Sequence, residues 1–243
     1  MNKKILGFAM IGMLAACGGT TPAQTDATDD RGAETGTICN GSVVQYGLDV
    51  SYFQGQPNWT SVRNSGRNFA LIRHSDGSFL DPERFNNWNN AKAAGMTVGF
   101  YQFFRASQDA VSQANLVVQA LTTVGGKGRP NLPAVIDIET YDGQSGSTVI
   151  SKVNQWLNYI QANTGRQPTL YTSPGFWGGL GYPTPSPLPY LWVAHWGVSC
   201  PTVPSPWGRL RFWQYSSTGS VSGISGAVDL DTYNGSLTEM QGL

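Results

Sequence analysis

Runs of β-branched and aromatic residues recur at fairly even intervals along the chain, and turn residues bound most of these runs. Such runs are typical of β-strands. Eight strands are predicted, at residues 43–51, 68–75, 97–104, 133–139, 167–173, 188–196, 210–217 and 228–233.

Helix-forming segments lie between the earlier strands. Two of them carry apolar residues at i, i+3 and i+4, which predicts amphipathic helices. A third begins with Asp81 and Pro82, a good N-cap and first-turn pair, and stops at a glycine. The helices are predicted at residues 59–65, 82–95, 107–123, 147–164 and 173–179.

The order of these elements predicts the fold class. Alternating strands and helices favour parallel βα units. Too few residues separate the last three strands for helices as long as the earlier ones. The predicted fold is α/β: a flattened, irregular (β/α)5(β)3 TIM-like barrel, formed by residues 38–243 as a single domain.

The N-terminus is predicted to lie outside this domain. Residues 1–16 have two lysines followed by an apolar run too short to span a bilayer, which is the layout of a secretory signal. The sequence Leu-Ala-Ala before Cys17 resembles the lipobox of bacterial lipoproteins, so Cys17 is the predicted lipidation site; the alternative is ordinary cleavage that leaves Cys17 as a free thiol. Gly18 follows instead of an aspartate, which favours the outer membrane. Residues 17–37 are the predicted flexible tether, because residues 18–37 contain no large apolar side chain.

Charge and cysteine content narrow the possible functions. The 15 basic and 15 acidic residues balance, and no basic stripe suggests a nucleic-acid partner. The chain has two histidines and no Cys/His cluster with metal-ligand spacing, so neither a metal site nor a cofactor is expected. In an exported protein, Cys39 and Cys200 predict a disulfide; the alternative is two buried thiols.

Four acidic residues stand out because they fall in predicted strands of a domain poor in charge. Asp137 and Glu139 end the strand PAVIDIE, where side chains two apart point to the same face, with Cα atoms roughly 6.5–7 Å apart. Two close carboxyls push their pKa values apart, so one can stay protonated near neutral pH. Asp49 and Asp229 lie in the first and eighth strands, and catalytic groups of such barrels sit at strand C-termini. Other acids, such as Asp81, are expected in the linker or on helix surfaces.

Several motifs, in order and with their spacing, resemble the glycoside hydrolase family 25 lysozymes, the Chalaropsis-type muramidases. The resemblance covers residues 46–236, and that family has a flattened eight-stranded barrel. The matching segments are GLDVSYFQG, FALIRHSDG, AKAAGMTVGFYQFF, LPAVIDIE, PTLYTS, LWVAHW, FWQYSS and VDLDTYNG.

The resemblance implies cleavage of the β-1,4 bond between N-acetylmuramic acid and N-acetylglucosamine in peptidoglycan. It implies that Glu139 is the general acid and Asp137 its ionised partner, while Asp49 and Asp229 position sugars or tune Glu139. Two mechanisms stay open: Asp137 could orient the substrate's acetamido group as internal nucleophile, or a carboxylate could activate water.

The resemblance also implies substrate-binding residues. Tyr101 and Trp192 match groove positions, and Tyr171 belongs to the same aromatic set, although core packing is the alternative for each ring. Arg73 replaces the lysine common in the family and is either a substrate-binding residue or a strand-end ion pair. Gln102 often corresponds to a histidine, and both changes could mark selectivity for a particular wall chemistry. His195 is predicted to be either a groove residue or, with slight preference, a core histidine.

Three other functions compete with this interpretation of the sequence. A chitinase-like barrel also ends a strand in D-x-E, but its motif needs acids where Val135 and Leu132 stand. A phosphate-binding loop at residues 124–128 lacks the required spacing. A lipid-anchored, catalytically inactive peptidoglycan-binding protein is the remaining alternative. The expected partners are glycan strands and, through Cys17, a membrane; the protein is expected to be an exported monomer.

Overall fold

The computed structural model describes residues 36–37, 39, 41 and 43–243. The predicted signal segment, the lipidation site at Cys17 and most of the predicted tether lie outside the described residues. Within them, no helix is both long and apolar enough to cross a membrane.

The domain is built around a closed ring of eight strands, which confirms the predicted barrel. Every predicted strand is present, with ends that shift by a few residues. The ring strands are β2 (Val44–Val50), β3 (Phe69–Asp76), β5 (Thr97–Phe103), β6 (Val135–Asp137), β7 (Thr169–Thr172), β8 (Tyr190–Ala194), β10 (Phe212–Gly219) and β11 (Val228–Asn234).

Seven of the ring strands run parallel, and β11 alone runs antiparallel to both of its neighbours, β10 and β2. This reversal matters for the site. The first residues of β11 lie at the edge where the parallel strands end, so side chains from both kinds of strand meet there.

Five helices follow the early strands as predicted. The N-caps of α3 and α4 are Asp109 and Ser145, whose side chains accept backbone N–H groups of the first turn. The helices are α1 (Trp59–Asn64), α2 (Arg84–Ala93), α3 (Ala110–Thr123), α4 (Gly146–Thr164) and α5 (Pro174–Gly179).

Five short elements were not predicted. Strand β4 (Phe79–Leu80) folds back on β3, and β1 (Gly36–Thr37) pairs antiparallel with β9 (Thr202–Val203). Helix α6 (Leu237–Gln241) follows the barrel. A 3-10 turn also covers Tyr52–Gln54, directly after β2.

The prediction that Asp81 lies on a helix surface and caps α2 is wrong. Helix α2 begins at Arg84, and Asp81 is 1% exposed. Its Oδ1 accepts the N–H of Glu83, while Oδ2 accepts the N–H of Tyr52 and lies 3.1 Å from Nε of Arg73. The buried arginine on β3 needs a counter-charge, and Asp81 supplies it from the turn before α2.

Apolar side chains fill two regions. One lies between barrel and helices and includes the fully buried Trp88, Trp156 and Trp177. The other fills the barrel interior and includes Phe69 and Phe212.

The C-terminus closes the end of the barrel opposite the strand C-termini. Met240 and Leu243 belong to the interior cluster. Gln241 donates to the hydroxyl of Thr97, the first residue of β5, and Arg166, just before β7, donates to the Leu243 carbonyl. The opposite end of the barrel is left open.

Candidate active site

Four acids converge at the open end of the barrel. Asp49 lies near the end of β2, Asp137 is the last residue of β6, and Glu139 follows it by two positions. Asp229 is the second residue of β11 and pairs directly with Asp49. All four line one cavity of about 330 Å³. The structure thus brings together the acids that the sequence singled out.

Asp137 and Glu139 differ in exposure. Asp137 is 7% exposed, and its Oδ1 has no hydrogen-bond partner among the described residues. Glu139 lies beyond the end of β6, because that strand stops two residues before its predicted end, and its side chain is exposed in the groove. Glu139 is therefore the member of the pair that a substrate in the groove can reach.

The surroundings raise the pKa of both carboxyls. Burial raises the pKa of Asp137 well above its usual value, and the charge of Glu139 adds to the shift. Glu139 is open to the groove, but the groove walls still displace enough water to raise its pKa. The charge of Asp229 raises this pKa further, and the charge of Arg105 lowers it. The sequence predicted an ionised Asp137 beside a protonated Glu139. In the structure, burial raises the pKa of Asp137 too, so Asp137 as well as Glu139 is favoured in its protonated form.

Two cavities meet at Glu139. The acidic cavity also extends along Ser51 and Phe53. A second cavity of about 380 Å³ lies on the other side and is lined by Ser173, Pro174 and His195. Glu139, Tyr171 and Trp196 line both. A polymer running through the groove would therefore pass Glu139 in mid-chain.

The predicted substrate-binding residues Tyr101, Trp192, Arg73 and Tyr171 all line the acidic cavity. The three rings are at most 8% exposed and pack against one another, with Tyr171 and Trp192 centroids 4.5 Å apart. They form the floor of the cavity and present little face to a sugar.

More exposed aromatic rings stand at the walls. Trp196 is 52% exposed and Phe53 71% exposed. Both line the groove, so these two side chains, rather than the buried floor, can stack on the flat face of a sugar.

For Arg73 the ion-pair alternative is confirmed, while the substrate-binding role stays a prediction. It lines the cavity and also forms the buried ion pair with Asp81. Gln102, by contrast, is fully buried, donates to Ser75 and accepts from the indole of Trp156. Because Gln102 lines neither cavity, the idea that it selects the wall chemistry loses its structural basis.

His195 lies in the groove, contrary to the preferred prediction of a core histidine. It is half-buried and lines the second cavity. Its Nδ1 accepts the backbone N–H of Thr202 at 3.0 Å. Since Nδ1 is the acceptor, the neutral ring carries its proton on Nε2 and can donate from there.

The loop that carries His195 is tied to the N-terminal segment. Thr202 pairs with Thr37 in the β1–β9 ladder, and Cys39 is joined to Cys200, which confirms the predicted disulfide. One wall of the second cavity is thus supported by residues that precede the barrel.

Two polar residues of the site were not identified from the sequence. Gln214 on β10 donates to Asp49 Oδ2 at 2.7 Å and accepts from the hydroxyl of Tyr171 and the indole of Trp196, both at 3.0 Å. Asp231 on β11 is fully buried and accepts the indole N–H of Trp192 at 2.9 Å. The alternation in VDLD, which places Asp231 on the same face as Asp229, was the available signal.

Within the part of the chain that the structure describes, no group of three His, Cys, Asp or Glu side chains is arranged to hold a metal ion.

Comparisons with known proteins agree with this architecture. The family profile described as "Glycosyl hydrolases family 25" matches residues 48–224. The chain is 37% identical to lysozyme M1 of Streptomyces globisporus over 214 residues, which cover 81% of this chain and 70% of that protein. It is 27% identical to the N,O-diacetylmuramidase of Arthroderma benhamiae over 246 residues, covering 96% and 97% of the two chains. The crystal structure of the bacterial lysozyme from Streptomyces coelicolor superposes with a TM-score of 0.74 at 34% identity, covering 84% of this chain and 98% of that one.

Proposed function

The chain belongs to family 25 of the glycosyl hydrolases, and on that basis we propose that it hydrolyses peptidoglycan at the β-1,4 bond between N-acetylmuramic acid and N-acetylglucosamine. Relatives named lysozyme and N,O-diacetylmuramidase support this substrate. The observation that carries the proposal is the position of Glu139, between two cavities that can each hold a sugar on one side of the scissile bond.

Glu139 is the proposed general acid. Its raised pKa keeps a proton available above the pH at which an ordinary glutamate loses it. The side chain is exposed where the two cavities meet, so it can reach the oxygen that links the two sugars. As the bond from the anomeric carbon to that oxygen breaks, the Glu139 proton passes to the oxygen of the departing sugar.

Asp137 is the proposed partner carboxylate. It must be ionised to assist at the anomeric carbon, and the raised pKa of both acids means that the pair holds a proton over a wider pH range than isolated carboxyls. Two routes follow from its position. Asp137 orients the substrate's acetamido oxygen for internal attack, or a carboxylate of the site activates a water molecule.

The first product distinguishes the two routes. Internal attack followed by hydrolysis gives two inversions and retains the anomeric configuration, whereas direct attack by water inverts it. Proton NMR of freshly released sugars therefore identifies the route, and cleavage that persists after removal of the acetamido acyl group excludes the internal route.

The test of the function is release of muropeptides by a purified protein comprising residues 36–243, which keeps the β1–β9 pairing beside the second cavity. We expect wild-type protein to release products with new reducing-end muramic acid. Glu139→Gln should reduce the rate by roughly 10²–10⁴-fold. Glu239→Gln is the matched control, because Glu239 lies on α6 at the closed end and glutamine can keep its capping contact with Ser236.

The alternative function, a peptidoglycan-binding protein without activity, gives a different result. Wild-type protein would then bind walls and release nothing, and Glu139→Gln would bind equally well. The complete set of four acids around one cavity favours the enzyme.

We further propose that the enzyme is exported and anchored by lipid on Cys17 in the outer membrane. The support is the sequence before Cys17 alone. Mass spectrometry of the full chain expressed in a bacterium should show a diacylglycerol adduct on the cysteine. Cys17→Ser should release the protein from the membrane fraction; an unmodified Cys17 would refute the anchor.

A further inference from the structure

A fifth acid lies behind the four at the groove. Asp231 follows Asp229 by two positions on β11, so both side chains point into the barrel. Asp229 pairs with Asp49 across the β11–β2 ladder, while Asp231 pairs with Gly47, two residues further from the open end. Asp231 is fully buried and lines neither cavity.

Among the described residues, only one of the two carboxyl oxygens of Asp231 has a hydrogen-bond donor. Its Oδ1 accepts the indole N–H of Trp192 at 2.9 Å. Its Oδ2 receives no N–H or hydroxyl donor from the described residues. Asp49 lies two residues from Gly47, the partner of Asp231, and on the same face of β2, so a proton on Asp49 can serve the buried carboxyl of Asp231.

The charges of these acids also indicate that a proton stays on Asp49. Asp49 lies opposite Asp229 and diagonal to Asp231 in the β11–β2 ladder, and none of the ion pairs within 4.0 Å in the described part of the chain involves these three acids. Adjacent buried carboxylates cannot all ionise, so the group must retain a proton. Asp49, which neighbours both other acids in the ladder, is the member that can share one with either.

A hydrogen bond from Gln214 connects Asp49 to the groove. Asp49 Oδ2 accepts from the side-chain amide of Gln214 at 2.7 Å. With its NH₂ group so directed, Gln214 turns its carbonyl oxygen to the hydroxyl of Tyr171 and the indole of Trp196. Hydrogen bonds thus link Asp49 through Gln214 to Tyr171 and Trp196. Both of these side chains line both cavities.

We propose that Asp231 is a positioning residue that keeps the proton on Asp49 and thereby orients Gln214, Tyr171 and Trp196 around the substrate. The proposal rests on the proposed glycosidase function for its effect on rate. Its effect on the ionisation of Asp49 does not depend on that function.

Several further groups act on Asp49 and its neighbours and must stay constant in the test. They are Arg67 near β3, Arg73 on β3, Tyr101 on β5, Asp137 and Glu139 at β6 and Tyr171 on β7. The variant Asp231→Asn leaves all of them in place. The carbonyl oxygen of the new asparagine side chain can still accept the indole N–H of Trp192. Its NH₂ group can donate a hydrogen bond to Asp49, and this bond favours the ionised form of Asp49.

The primary experiment follows the indole N–H resonances of Trp192 and Trp196 by ¹⁵N NMR as a function of pH, assigned with Trp192→Phe and Trp196→Phe. In wild-type protein both should titrate with the acids behind them. In Asp231→Asn the midpoint at Trp196 should fall by at least one pH unit. Asp109→Asn is the control, because it keeps the cap of α3 and should leave both titrations unchanged.

Kinetics complete the test. For Asp231→Asn we expect kcat on peptidoglycan to fall by at least ten-fold at neutral pH, with the alkaline limb of the rate profile moved to lower pH. An equal loss of kcat at every pH with unmoved NMR midpoints would show a merely structural role and overturn the proposal, as would unchanged kcat and midpoints. If wild-type protein cleaves no glycan, the proposed function fails, while the NMR titration still decides the role of Asp231.

Discussion

Arg73 and Asp81 form a buried ion pair at the side of the groove, with 3.1 Å between Nε and Oδ2. The guanidinium also lies over the rings of Tyr52 and Phe53, 5.0 and 5.5 Å from their centroids. Arg73 is therefore held from behind by a carboxylate and covered in front by aromatic rings. The arginine supports the groove wall while its edge remains part of the cavity.

We predict that Arg73→Met destabilises the fold by about 3 kcal/mol, because it leaves the carboxylate of Asp81 buried without its charge partner. Chemical denaturation measures the loss. Arg209→Met, at an exposed arginine, is the control and should change stability by less than about 0.5 kcal/mol. The double variant Arg73→Met/Asp81→Leu should recover most of the loss; if it does not, the ion pair is not the cause.

His74 should make the fold sensitive to acid. Burial, helped by the positive charge of Arg84, lowers the pKa of His74 from 6.5 to about 4. In the unfolded chain the ring gains its proton near pH 6.5, so stability is lost as pH falls from about 6.5 to 4. The loss attributable to this group is about 3 kcal/mol.

Denaturation curves of wild type and His74→Gln, measured between pH 7 and 4, isolate this effect from that of the acids. Raised carboxyl pKa values act in the opposite direction, since they cost stability as pH rises from the usual Asp value of 3.8. They are common to both proteins and cancel in the difference. If the two curves run parallel, His74 is not the acid-sensitive group.

The pH dependence of cleavage should respond to Arg105. This residue binds Asp76, and its charge lowers the pKa of Glu139. Activity needs the proton on Glu139 and is lost as pH rises through that pKa. In Arg105→Gln the alkaline limb of kcat/KM should move to higher pH, because Glu139 loses a neighbouring cation while Asp76 loses its partner. A shift to lower pH would exclude Glu139 as the group that titrates.

Trp196 should contribute to substrate binding more than the buried floor does. We expect Trp196→Ala to raise KM roughly ten-fold, equivalent to about 1.4 kcal/mol, with a smaller change in kcat. Trp196→Phe should restore most of the affinity, since it keeps an aromatic face and loses only the bond to Gln214. Tyr182→Ala, at an exposed ring that lines neither cavity, is the control. Equal effects at both positions would exclude a specific stacking role.

Reduction of the Cys39–Cys200 disulfide should loosen the wall of the second cavity. The bond holds the loop that orients His195 through Thr202, so we expect a several-fold higher KM in the variant Cys39→Ser/Cys200→Ser. The same increase should appear in wild-type protein after treatment with dithiothreitol. Unchanged KM in both would show that the loop holds its position without the bond.

The sequence predicted all eight ring strands and five helices because each carries its own local signal, either β-branched runs or helical periodicity. Helix α6 was missed although Ser236 and Glu239 form a capping box, a signal that the sequence does contain. The four groove acids were found because charge is rare in strands. Gln214 was missed because its partner Asp49 lies 165 positions away, and an uncharged residue in an aromatic strand has no local pattern that marks it.

Asp81, in contrast to Gln214, was identified from the sequence, but its ion pair with Arg73 was missed. Its local signal, an aspartate before a proline at a helix start, was correct as far as the turn is concerned, since it accepts the N–H of Glu83. What local pattern could not show is that a buried arginine from β3 would need the same carboxylate.

The two ends of the domain lie on opposite sides of the barrel, and this sets the orientation of anything joined to them. Residues 36–37 pair beside the loop that carries His195, whereas Leu243 is packed into the closed end. An enzyme immobilised on beads through its C-terminus would turn its groove toward the bulk suspension, where insoluble wall fragments are. Attachment through the N-terminus would bring the groove beside the bead surface, where a soluble oligosaccharide can enter but a large sacculus is hindered.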